Sequence, residues 1–200
     1  TVINAITIDA STEGISTGGA DLSLLAFLKI SDGGVTSTGG AISLLGGGQL
    51  SGTGKLDVSG STWELGGDFE KSSGTLTISQ TNLALTGSIK LTSDQALSFV
   101  TLNLNNYILT LGSSTSDLTV ANAVTIDAST EGISTGGADL SLLAFLKISD
   151  GGVTSTGGAI SLLGGGQLSG TGKLDVSGST WELGGDFEKS SGTLTISQTN

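Results

Sequence analysis

Residues Thr1 to Asn82 recur as Thr119 to Asn200, at an offset of 118, with two differences in 82 positions: Ile3 against Ala121 and Ile6 against Val124. Whatever fold the chain adopts must accept these residues twice and join the copies without a change of composition at the seam. Self-similarity at a fixed offset marks repeat architectures, in which each copy leans on its neighbour instead of closing a core of its own. The expected organisation is one continuous solenoid, with residues 1–118 as a first unit and residues 119–200 as a second, truncated copy. Solenoid ends normally carry atypical capping repeats, and neither end of this sequence reads as one. Thr1 opens no signal peptide and follows no initiator Met, so the expectation is a window on a longer array.

A shorter period lies inside the unit. Leu22/Leu24, Ile42/Leu44, Trp63/Leu65, Leu83/Leu85 and Leu102/Leu104 form one series of apolar pairs, stepping by 19 to 21 residues. Leu28/Ile30, Leu50, Phe69, Ile89/Leu91 and Leu109/Leu111 form a second. Leu56/Val58, Leu76/Ile78, Leu97/Phe99 and Leu118/Val120, preceded by a lone Val35, form a third. The i, i+2 spacing places both members of a pair on one side of an extended segment. Between the pairs stand corners such as Asp32 to Gly34, Gly66-Gly67 and Asn105-Asn106, built from residue types that accept positive φ. Thirty-four Gly, each costing about 1 kcal/mol relative to Ala inside a helix, argue against a helical fold.

The fold class expected is therefore all-β: a parallel β-helix of about 20 residues and three short strands per coil, rising about 4.8 Å per coil. The winding expected is right-handed, as most parallel crossovers are. The steps place about six coils in each 118-residue unit, and Leu22, Ile42, Trp63 and Leu83 should form one inner ladder. Between Ile8 and Leu22 the only large apolar residue is Ile15. A short or looped coil is accordingly expected over Ala10 to Asp21 and over its copy, Ala128 to Asp139.

Composition removes whole classes of mechanism. Cys, His, Met, Pro and Arg are absent, which excludes disulfides, Cys/His zinc sites, haem ligation, and Cys or His nucleophile and base chemistry. A formal charge of −11 repels phosphate backbones and anionic membrane surfaces, so no nucleic-acid partner is expected. No apolar run approaches the ~18 residues of a membrane span, Leu22 to Ile30 being interrupted by Ser23 and Lys29. At 36% hydrophobic residues, the chain is too apolar for the composition of intrinsic disorder.

Several motifs invite a functional reading. Gly48 to Leu56, GQLSGTGKL, resembles a phosphate-binding loop, but its first and last Gly are one residue too far apart and Leu56 stands where Ser or Thr would ligate magnesium. Glu64, Asp68, Glu70 and Lys71, with their copies Glu182, Asp186, Glu188 and Lys189, are the densest charge cluster. Paired carboxylates could act on a glycosidic bond. With Trp63 and Leu65 inward, however, Glu64 points into water, and the cluster reads as a solvated face with weak calcium binding as its alternative. Gly52, Gly54 and Asp57 are only a fragment of a calcium-binding nonapeptide. Thr36/Thr38 and Thr75/Thr77 would suit an ice-binding plane only if repeated coil after coil. Trp63, Phe69 and Phe99 fall on inner ladders, and with Phe27 and Tyr107 they are too few for a stacking platform. No Asn-x-Ser/Thr sequon occurs. No catalytic, cofactor-binding or metal-ligating residue is assigned, no cofactor is expected, and the chain is not read as an enzyme.

The runs GTLTISQTNLALTGSIKLTS (Gly74 to Ser93) and TLNLNNYILTLGSS (Thr101 to Ser114) make the chain similar to bacterial β-helical surface proteins, the filamentous-haemagglutinin and autotransporter-passenger type of adhesin. The resemblance covers nearly the whole chain in composition and coil pattern, and it implies export, display at the cell surface, and roles in adhesion, sheath or filament formation. The function expected is a secreted structural fibre or stalk whose partners are further copies of itself, stacked head to tail, or other surface and matrix proteins. The alternative is the shaft of an adhesin whose binding tip lies elsewhere. A polysaccharide-active enzyme and an ice-binding protein rank below both.

Overall fold

The computed structural model describes all 200 residues. It contains no helix, and 55% of the chain lies in strands that stack in parallel as a β-solenoid of about nine turns with a repeat spacing near 21 residues. The expected all-β parallel coil is thus the observed fold.

The three apolar series are three faces. The first carries Leu22–Leu24, Ile42–Leu44, Thr62–Leu65, Asn82–Leu85 and Thr101–Asn103. Leu22, Ile42, Trp63, Leu83 and Leu102 pair in succession along it, the expected ladder extended by one coil. The second face runs through Leu28, Gly48, Phe69 and Leu91. Phe69 fits there because Gly48 beneath it has no side chain: a Cβ on Gly48 would meet the Phe69 ring at 3.2 Å. The third face includes Ile15, Val35, Leu56 and Leu76, which gives the lone Val35 its partners. Inward residues of all three faces merge into one core of 40 buried apolar side chains, and burial at about 25 cal/mol per Å² is the main force holding the coils together.

The break expected over Ala10 to Asp21 takes a different form. Ile6–Ser16 is one long strand bent over a corner, and its coil is complete, with Ile8 stacked on Ile30 and Ile15 on Val35. Residues 10–13 are extruded as a bulge between Asp9, paired with Asp32, and Gly14, paired with Gly34. The second copy does the same between Asp127 and Gly132. A single Ile is enough to hold the chain on the third face, so the polar residues leave the ladder without removing a coil.

The copies do not stack face on face. From Ile6 to Val120 the chain has 15 strands, and two of them, Ile6–Ser16 and Leu28–Thr36, cross a corner and serve two faces each, making 17 face crossings. At three faces per coil the unit is five and two-thirds coils, close to the expected six but not a whole number. The sheets show the offset directly. Leu118 and Val120, on the third face, pair with Leu140 and Leu142, the copies of first-face Leu22 and Leu24. Leu109, on the second face, pairs with Ile133, the copy of third-face Ile15.

Candidate functional site

Glu64 lies between inward Trp63 and Leu65, both fully buried, so strand alternation turns it outward, where Ser43 of the preceding coil donates a hydrogen bond to it. Asp68, at the corner, accepts from the backbone N–H of Lys90 at 2.7 Å. Glu70 stands on the next face, its carboxylate 3.4 Å from the Gln49 amide nitrogen. Glu64 and Glu70 thus belong to different faces across the Gly66-Gly67 corner, and each acid bonds the coil above or below it. The arrangement clips coils together and does not converge two carboxylates on one point.

Lys71 departs from the expected solvated face. It is 4% exposed and pairs with Asp94 of the next coil. It occupies an inward column, stacked on Leu50, so its methylenes lie among apolar side chains while the ammonium reaches the corner. Lys189, the same residue in a coil that no further coil covers here, is exposed.

The remaining motifs are turn chemistry. In GQLSGTGKL the backbone N–H of Thr53 donates to the Ser31 carbonyl and that of Gly54 to Ser51, and the strand Lys55–Asp57 follows where a phosphate loop needs a helix. Asp57 accepts from the Ser59 N–H, and no three acidic side chains converge to hold a metal ion. Thr75 and Thr77 pair with Lys55 and Asp57, so threonines do not continue from coil to coil. No helix long and apolar enough to cross a membrane is present.

What sequence reasoning did not find is a groove beneath each bulge. In the second copy it has a volume of about 410 Å³ and is walled by Glu131, Asp150, Thr154, Thr171 and Lys173 over a floor of Gly. Thr171 donates to Asp150 at 2.8 Å. The groove of the first copy, about 470 Å³, has Glu13, Asp32, Thr36, Thr53 and Lys55 in the same places. These residues come from separate coils, and only the Ser/Thr/Glu excursion between Ile126 and Ile133 signals it in the sequence. It offers charges of both signs and hydroxyls, a setting for polar ligands, without an aromatic platform.

Glu131 organises the second bulge. Its carboxylate accepts from the backbone N–H groups of Asp127 at 2.7 Å, Ala128 at 3.2 Å and, from the coil below, Asn106 at 3.1 Å. Burial pushes its pKa up, but these backbone donors outweigh it and hold the carboxyl below the usual glutamate range.

Fold and surface together define a tandem-repeat β-solenoid. No family model matches the chain, and no curated protein or solved structure matches it significantly. The adhesin likeness therefore stands on coil pattern alone.

Proposed function

We propose that this chain is a structural rod element, a stalk, shaft or fibre displayed outside the cell, with a mechanical and not a catalytic role. The observation that carries the reading is the seam. On two of the three faces hydrogen-bonded sheets pass from the first unit into the second, Leu109 onto Ile133 and Leu118 onto Leu140, while the first-face sheet ends at Thr101–Asn103, and the copies concatenate with no linker. Tandem units then extend one core, and each coil is stabilised by its neighbours. The outward acids support the reading because they bond adjacent coils instead of assembling a reactive pair.

Stacking of separate chains head to tail is the finer form of this proposal, since parallel strand edges template further strands. Electron microscopy of the purified protein tests it: thin unbranched filaments are expected, and monodisperse short particles would refute polymerisation. Display outside the cell is tested by protease shaving of intact producing cells, which should remove the protein, whereas full protection would overturn that part. Measurable turnover of any glycan, abolished by Glu64→Gln with Asp68→Asn, would overturn the non-catalytic reading.

A further inference from the structure

We infer that tandem copies of this unit wind with threefold screw symmetry, each presenting its groove to a new side of the rod, so that equivalent grooves face the same way only at every third unit. The inference concerns winding and display, and it holds whether or not the rods polymerise or leave the cell.

Seventeen face crossings per unit leave a remainder of two against three faces, so every residue of the second copy sits one face away from its original. All three faces record the same rotation. Val2 bridges to Leu24 on the first face, while its copy Val120 pairs with Leu142 on the third. Ile6 pairs with Leu28 on the second face, whereas Val124, its copy, pairs with Leu146 on the first, since Leu146–Ser155 follows third-face Leu140–Leu142 and reaches the second face only at Gly152 to Thr154. The bulge carrying Glu13 lies over the corner between second and third faces, and the bulge carrying Glu131 over the corner between first and second. The buried hydroxyls turn with the chain: Ser61 donates to Ser37 on one corner, and their copies repeat the bond as Ser179 to Ser155 one corner away.

At about 4.8 Å per coil, one unit advances the rod by about 27 Å and turns it by a third of a revolution. Three units, 354 residues at 118 each, complete 17 whole coils and about 82 Å before the pattern repeats. A whole-coil unit would line all grooves along one side. The two-thirds coil distributes them around the axis, so a partner that engages neighbouring units must wrap the rod, and a straight bivalent partner on one side must span about 82 Å.

The test exploits the absence of Cys from the chain. Thr110 and Ser134 are outward residues paired across the seam, and parallel neighbours about 4.8 Å apart fall within disulfide range. In a six-coil unit, Thr110 would instead neighbour Thr125, because that copy of Thr7 would stay on the second face. Thr125 in fact pairs with Lys147. In the full chain, Thr110→Cys with Ser134→Cys should oxidise to an intramolecular disulfide, read as a 2 Da mass loss and a mobility shift without reductant. Thr110→Cys with Thr125→Cys should keep both thiols, and Thr125→Cys with Lys147→Cys should cross-link as the positive control. Cross-linking of the 110/125 pair, or failure of the 110/134 pair, overturns the inference. If the positive control fails as well, the coil stacking itself is refuted.

Discussion

Trp63 and Trp181 are the same residue in the same local sequence, placed in two different environments, and replacing each by Ala should separate the contribution of coil stacking from that of sequence. Trp63 is fully buried, stacked between Ile42 and Leu83, edge-on to Phe69 at 4.9 Å and 6.3 Å from Phe99. Its indole N–H has no partner. Burying a Trp removes on the order of 150–250 Å² from water, which at about 25 cal/mol per Å² favours the folded state by roughly 4–6 kcal/mol. The orphaned N–H offsets about 1–3 kcal/mol of that. Trp63→Ala removes both terms and leaves a cavity in the bore, so the expected loss is about 3–4 kcal/mol, within the range for large-to-small core changes. Trp181 keeps its edge contact with Phe187, at 5.4 Å, and its indole N–H is likewise without a partner, but the side chain is only partly buried. Trp181→Ala should cost about 1–2 kcal/mol on the same area scale. Urea unfolding of both variants, followed by far-UV circular dichroism, measures the difference. The companion single-Trp variants add an optical check: with Trp181→Phe the remaining emission should be blue-shifted and resist acrylamide, and with Trp63→Phe it should be red-shifted and quenchable. Equal losses for the two Ala variants, or quenchable Trp63, would refute the claim that a covering coil makes the core.

Glu131→Gln should lower stability by about 1 kcal/mol at neutral pH through loss of charge-assisted bonds from three backbone donors. Because the folded-state pKa of Glu131 is depressed, its stabilisation is full above the ordinary glutamate range and disappears as pH falls through the folded value. The gap between wild type and variant in urea midpoint should therefore close on acidification, and a gap independent of pH would contradict the assignment. Gly40→Ala sets a Cβ 2.2 Å from the Ala20 carbonyl oxygen and should reach the upper end of the about 1–3 kcal/mol that overpacking costs. Gly60→Ala meets nothing within 4 Å but has φ of +69°, so it should cost only about 1 kcal/mol, and thermal melts of the pair would rank them. Lys71→Met should be tolerated within about 1 kcal/mol, since it keeps the buried stem and removes a desolvated charge. Asp94→Ala, which leaves that ammonium without its partner, should be the more harmful of the two by denaturant midpoint.

The coiled all-β architecture, the strands and nearly all inward residues were legible from the chain, because an i, i+2 apolar pair every seven residues or so has one favourable solution: fold the apolar side onto a common bore. The ladder from Leu22 to Leu83 followed from spacing alone. Spacing could not weigh Ile15, since one buried Ile among polar residues reads equally as a loop or as a face, and only its stacking on Val35 decides. Lys71 was misplaced for a related reason: a charge among acids reads as surface until its column is seen to run over Leu50 and toward Asp94. The bulge groove was hidden because its walls come from three successive coils, brought together only by the stacking.

The amino-acid order by itself determined that the chain coils, about how long each rung is and which apolar pairs face inward, because these follow from the local alternation of apolar and polar residues. Tertiary structure alone decided how the rungs add up. Whether 118 residues close on six coils or on a third of a coil less turns on which strand of the first unit each strand of the second stacks against. That placement was settled by packing between coils, and it decides which side of the rod each copy faces.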